Sequence, residues 1–238
     1  MGGALHNRSQ MMQKTTMKLE AVVFDLDGVI TDTAHYHFVA WRDIAKELGI
    51  VIDEAFNERL KGVSRLDSLR LILAHGGKAD QFSDAELETI ATRKNEHYVS
   101  LLSDLSPADI LPGIADLLQS LRQGGIRVGL ASVSKNAPQV LAALGLTECF
   151  DYCADAAKLT HSKPHPEIFL TACAGLGVAP ENAIGIEDAQ AGVASIKGAG
   201  MYAVGVGSQL EGVDWLVPCT SYLTLPALSA HWADRQQH

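Results

Sequence analysis

Three short apolar runs along this chain end in residues that carry chemistry. Val22-Val23-Phe24 runs into Asp25, Val128-Gly129-Leu130-Ala131 into Ser132, and Ala183-Ile184-Gly185-Ile186 into Glu187. Each has the length and composition of a buried strand. From Ile110 onward strand and helix patterns alternate, which predicts a parallel sheet. The preceding stretch reads differently. Phe38-Val39-Ala40-Trp41, Ile44-Ala45 and Leu48 recur at helical spacing and stop at Gly49. Leu66, Leu69, Leu71, Ile72 and Leu73 predict a second helix, ended by Gly76-Gly77. Ser83-Asp84-Ala85-Glu86 has the form of a capping box and opens a long helix to about Leu102.

The strand ends matter because ligands of open α/β sheets bind there. Asp25 and Asp27 flank a single leucine at the end of the first run. Two acids so close cost electrostatic energy unless a cation or a reaction needs them. Gly28 then lets the backbone turn away. Asp25 and Ser132 should sit on neighbouring strands, yet about a hundred residues separate them, where a crossover needs only a dozen or more. The excess predicts an inserted all-helical domain over 34–107, with the α/β core formed by 17–33 and 108–238. Residues 1–16 are polar and lack the apolar stretch of a signal peptide, so a disordered extension is expected there.

Composition narrows the partners. With 238 residues, 47% of them hydrophobic, the chain can build one core and a smaller unit. No apolar run approaches the ~18 residues of a membrane span. A net charge of −9 disfavours nucleic acid. An anionic substrate would then need locally concentrated cations, with a bound metal ion supplying part of the field. Cys149, Cys153, Cys173 and Cys219 form no CxxC pair and read as reduced thiols of a cytoplasmic protein. His35 and His37, two apart on a helix, point away from each other, which disfavours a histidine metal site. No coiled-coil seam is evident, and a monomer is expected.

Taken in order, the strand-end residues resemble the four motifs of the haloacid dehalogenase superfamily. Asp25-Leu26-Asp27-Gly28-Val29 resembles the first, Ser132 the second, Ser162-Lys163-Pro164 the third and Glu187-Asp188 the fourth. The resemblance implies a Rossmann-like core in which Asp25 is a nucleophile forming an aspartyl-phosphate. It makes Asp27 the general acid/base, Ser132 a hydrogen-bond partner of the phosphoryl group, and Lys163 the neutralising cation. Asp25, Asp27 (through its carbonyl), Glu187 and Asp188 would hold Mg2+, a hard cation that suits oxygen ligands. The helical insertion resembles the superfamily's small cap, which closes over the site and excludes water. A dehalogenase needs no acid/base at Asp27, so phosphoryl transfer is expected.

Within that superfamily the chain from Lys18 onward is similar to the β-phosphoglucomutases. The most specific stretches are 24–33, 60–65, 93–95, 132–136 and 185–192. This implies interconversion of β-D-glucose 1-phosphate and glucose 6-phosphate, with β-D-glucose 1,6-bisphosphate as intermediate and activator. Such a cycle needs two phosphate sites. By resemblance Arg65 holds the idle phosphate with Ser134, Lys135 and Asn136, and arginine suits that role through its planar fork. Gly62, beside Val63 and Ser64, permits backbone approach to the sugar. Val133 offers its backbone N–H where alanine is common, Lys94 lies near the sugar, and Thr33 and His37 hold Asp27 in or out of place. Read from its residues alone, Lys61 to Arg65 is a solvated connection with a serine N-cap. Trp41 and Tyr98 read as cap core and His37 as a surface residue. The alternative function is a sugar-phosphate phosphatase sharing Asp25, Asp27, Ser132, Lys163 and Asp188. The Lys163-Pro164 bond is open to either isomer.

Overall fold

The computed structural model describes residues 17–60 and 63–235. The expected extension over 1–16, and Lys61 and Gly62 of the connection, lie outside the described residues. The described residues divide into two compact units, one of residues 17–30, 110–135 and 146–235, the other of 31–60, 63–109 and 136–145.

The second unit is helical. Helices α1 (Ala34–Glu47), α2 (Glu54–Asn57), α3 (Arg65–His75) and α4 (Asp84–Leu101) surround one apolar core. Phe38, Trp41 and Ile44 of α1 recur at intervals of three, so they share a face. They pack with Leu73, Leu87 and Ile90. The ends follow local chemistry. Ser83 Oγ accepts from Glu86 N at 3.2 Å and Glu86 Oε1 accepts from Ser83 N at 3.1 Å, a complete capping box on α4. Ser64 Oγ caps α3 by accepting from Asp67 N at 3.3 Å. Gly49 and Gly77 follow α1 and α3 with φ of +75° and +69°.

The first unit is a six-stranded sheet with helices. Its strands are β1 (Ala21–Phe24), β2 (Arg127–Leu130), β3 (Tyr152–Cys153), β4 (Ala183–Glu187), β5 (Tyr202–Val206) and β6 (Trp215–Val217). Their order is β3-β2-β1-β4-β5-β6 and every neighbouring pair is parallel. All four residues of β1 are buried, which is why that strand reads as a continuous apolar run rather than an alternating one. The connecting helices are α5 (Ile114–Gln123), α6 (Ala137–Leu144), α7 (Glu167–Leu176), α8 (Gln190–Gly198) and α9 (Leu225–Asp234). Helix α5 buries Ile114, Leu117, Leu118 and Leu121, a single helical stripe. Helix α6 is the exception, since its residues cluster with the helical unit. No helix among the described residues is long and apolar enough to cross a membrane.

The sheet register sets up the site. Phe24 pairs with Leu130 on one side and with Ile186 on the other. The next residues, Asp25, Ala131 and Glu187, therefore emerge side by side at the carboxyl ends of three adjacent strands. From β1 the chain builds outward through β2 and β3 on one side, then crosses to β4 and builds outward on the other, which makes the β1/β4 boundary the switch point of the sheet.

Removing the capping box isolates a local term. Ser83→Ala is expected to lower stability by about 1 kcal/mol, the usual worth of an N-cap side chain, as read by urea denaturation.

Candidate active site

Lys163 organises the strand ends. It arrives on the loop before α7, and its Nζ donates to Asp25 Oδ1 at 2.9 Å, Glu187 Oε2 at 2.6 Å and the Ala131 carbonyl at 3.0 Å. An ammonium has three N–H donors, and here each has an acceptor. Burial alone would lower its pKa, but the Asp25 and Glu187 carboxylates outweigh burial and hold it above that of an ordinary lysine. Lys163 is therefore a permanent cation. The Lys163-Pro164 bond is cis.

Around it the acids are in excess. Oxygens of Asp25, Glu187 and Asp188 lie within 4.8 Å of one another. Burial raises Glu187 well above the usual carboxylate range, the Asp25 charge adds to this, and Lys163 pulls back only in part. Asp188 reaches solvent, yet partial burial and then Asp25 push it up to about 7. Three carboxylates facing one ammonium are short of positive charge. The donor set is all oxygen, and a divalent hard cation would favour the charged forms of Glu187 and Asp188. Magnesium fits this cluster.

Two glycines shape the cluster. Gly28 has φ of +79°, and a Cβ there would stand 1.9 Å from Asp188 Oδ2. At Gly192 a Cβ would stand 1.9 Å from Glu187 Cδ. The turn at Gly28 was legible from its place after Asp27. Gly192 was not, because no local pattern reveals that α8 passes against Glu187. Amides fix the far side of that acid, since Asp188 N and Ala189 N donate to Glu187 Oε1 at 3.1 and 3.3 Å.

The remaining residues of the sheet unit follow from the same strand ends. Asp27 is half-buried on the turn after β1. Ser132 lies just beyond β2, and its Oγ accepts from Ser134 N at 3.2 Å, so the hydroxyl proton stays available for a phosphoryl oxygen. Val133 is 48% exposed, so its extra methyl groups meet little of the unit. Ser134 and Lys135 complete this segment. Asn136 belongs to the helical unit and donates from Nδ2 to Asn95 Oδ1 at 2.9 Å.

In the helical unit His37 is packed rather than a surface residue. It stacks on Tyr98 with centroids 3.9 Å apart, and its Nδ1 lies 2.8 Å from Lys94 Nζ. Because the ammonium only donates, Nδ1 accepts and the ring proton sits on Nε2. Lys94 is 4% exposed, with Nζ 4.8 Å from the Trp41 ring centroid and 5.0 Å from that of Tyr98. Burial, then Lys94 and Arg65, lower the His37 pKa to about 3. Trp41 and Tyr98 are buried in this unit, yet both also face the Lys94 ammonium. Thr33 Oγ1 is buried with no hydrogen-bond partner among the described residues. Val63 and Ser64 lead into α3, and Arg65 is its first residue. The His37–Lys94 pair escaped sequence reasoning because it joins two helices far apart in the chain.

Comparison with known proteins gives the family. A model of the haloacid dehalogenase-like hydrolases matches residues 19–200. The chain is 49% identical to a β-phosphoglucomutase of Bacillus subtilis, over 90% of this chain and 96% of that protein. It is 31% identical to a phosphorylated carbohydrates phosphatase of Thermotoga maritima, over 77% of this chain and 82% of that one. Among solved structures, a β-phosphoglucomutase from Clostridium difficile matches with a TM-score of 0.86 and 47% identity, covering 92% of this chain and all of that one.

Two outcomes are expected. Gly192→Ala should displace Glu187 and weaken Mg2+ binding about 10- to 100-fold, as losses of groups supporting a metal ligand do, read by calorimetric titration of Mg2+. The second concerns acid stability. His37 protonates at about 3 in the fold against 6.5 ordinarily. Its neutral ring thus favours the folded state above 6.5, and this contribution is lost as pH falls from 6.5 toward 3. His37→Gln should therefore lose stability less steeply over that window than the parent protein, in urea melts at fixed pH steps.

Proposed function

The chain belongs to the haloacid dehalogenase-like hydrolase family, and on that premise we propose that it is a β-phosphoglucomutase, interconverting β-D-glucose 1-phosphate and glucose 6-phosphate. The observation that carries the reading is that its likeness to a mutase is both closer and longer than its likeness to a sugar-phosphate phosphatase. The Asp25–Lys163 pair serves either chemistry. What favours the mutase is the second set of cations, Arg65 and Lys94, in the helical unit.

In this reading a carboxylate oxygen of Asp25 attacks phosphorus. The bond to the donor oxygen breaks, and Asp27 gives that oxygen its proton. In the return half a sugar hydroxyl passes its proton to Asp27 and attacks the aspartyl-phosphate, and Asp25 leaves as a carboxylate. Lys163 offsets charge on Asp25 and on the transferring group, while Ser132 donates to a phosphoryl oxygen. Magnesium, held by Asp25, Glu187, Asp188 and the Asp27 carbonyl, supplies further positive charge when bound. β-D-Glucose 1,6-bisphosphate is the intermediate and the activator that phosphorylates Asp25.

Each half-reaction leaves one phosphate idle. We assign Arg65 of the helical unit to that group, and Ser134, Lys135 and Asn136 to hydrogen bonds with it. Val63, Ser64 and Lys94, together with Gly62, are assigned to the sugar, and the Val133 N–H to a phosphate oxygen. Thr33 and His37 are assigned to timing the acid/base. A mutase must make a sugar hydroxyl outrun water, and positioning can do so because a held group reaches effective molarities of ~10⁵ M or more.

The test is a product assay with β-D-glucose 1-phosphate, Mg2+ and trace β-D-glucose 1,6-bisphosphate, with the α anomer as control. Glucose 6-phosphate from the β anomer alone, with little free phosphate, is the expected result. Mostly free phosphate would reassign the chain as a phosphatase.

A further inference from the structure

Lys163 must reach three acceptors at once, yet it sits on an irregular loop. The segment from Leu159 to Pro166 contains neither helix nor strand. One residue outside the Lys163 cluster makes hydrogen bonds to both limbs of this segment. Glu167, the first residue of α7, folds its carboxylate back over the loop. Its Oε1 accepts from Thr160 N at 2.8 Å and its Oε2 from His161 N at 2.9 Å. Both oxygens are thus committed to successive amides of the loop's incoming limb.

The outgoing limb is tied to the same residue. Glu167 N donates to His165 Nδ1 at 3.1 Å, and His165 N donates to the Ser162 carbonyl at 3.0 Å. Ser195 Oγ of α8 donates to the His165 carbonyl at 2.7 Å. The His161 and His165 rings stack across the loop with centroids 4.3 Å apart. Lys163 is therefore at the apex of a loop whose two limbs meet at Glu167. The carboxylate also lies in the first turn of α7, where the helix dipole favours a negative charge. The Thr160 amide, with the His161 amide and the two imidazoles, holds its pKa below the usual carboxylate range against some burial.

We propose that Glu167 is a positioning residue for Lys163, setting the loop so that the ammonium meets Asp25, Glu187 and the Ala131 carbonyl together. The proposal rests on the phosphoryl-transfer reading only in that Lys163 serves the reaction. Displacing a charged group by about an ångström can cost 10²-fold in rate, so a loop held by two amide bonds is a sensitive point. The sequence hides this role, because Glu167 reads as an ordinary acid opening a helix.

The test compares Glu167→Ala and Glu167→Gln in the parent protein and in a Lys163→Ala background. The rate read is total product, glucose 6-phosphate plus free phosphate, since mutase and phosphatase both pass through the aspartyl-phosphate. Glu167→Ala is expected to lower kcat about 10- to 100-fold with little change in KM. Glu167→Gln, which keeps one acceptor oxygen, should lose less. In the Lys163→Ala background both changes should cost nothing further. Equal losses in both backgrounds, or an unchanged kcat in Glu167→Ala, would overturn the proposal. A readout free of turnover is the ¹⁵N NMR signal of the Lys163 ammonium, identified by its absence in Lys163→Ala. It should shift or broaden in Glu167→Gln, and an unmoved signal would also refute the idea. Free phosphate without glucose 6-phosphate from the parent protein would count against the mutase reading alone.

Discussion

The ammonium of Lys163 is the interaction on which the site depends. Without it, Asp25, Glu187 and Asp188 would set three carboxylates within a few ångströms of one another in a largely buried place. Like charges so close cannot all ionise. One lysine relieves only part of this repulsion; burial first, and then the Asp25 charge, still hold Glu187 and Asp188 above the usual carboxylate range. The remainder is what a divalent cation answers. A site built this way favours both the metal and a phosphoryl group approaching with it, even though the whole chain carries a net charge of −9.

The backbone makes this concentration of charge possible. Parallel pairing of β1 with β2 and β4 delivers Asp25, Ala131 and Glu187 to one level. A carbonyl and two carboxylates then converge on a single ammonium. Glycines at 28 and 192 leave room for the acids, and amides at 188 and 189 hold Glu187 from its far side. The order is imposed from outside the reacting atoms, as preorganised electrostatics requires.

The helical unit works through a different balance. Lys94 is buried among aromatic faces, with its ammonium 2.8 Å from Nδ1 of a neutral imidazole. Arg65, at the start of α3, adds a second positive charge to this unit.

Much of this was legible before any tertiary structure. Continuous apolar runs ending in Asp25, Ser132 and Glu187 announced parallel strands with chemistry at their ends. The length between Asp25 and Ser132 announced the helical insertion, and Ser83 with Glu86 marked the start of its longest helix. These are local signals, written in periodicity and capping chemistry. What the sequence left open are relations between residues distant in the chain. The pairing of His37 with Lys94, the close pass of Gly192 by Glu187, the grouping of α6 with the helical unit and the clamp of Glu167 on the Lys163 loop have no periodic signature. Each is decided by how helices pack and how a loop closes, and packing depends on the shapes of surfaces that form only when the whole chain has folded.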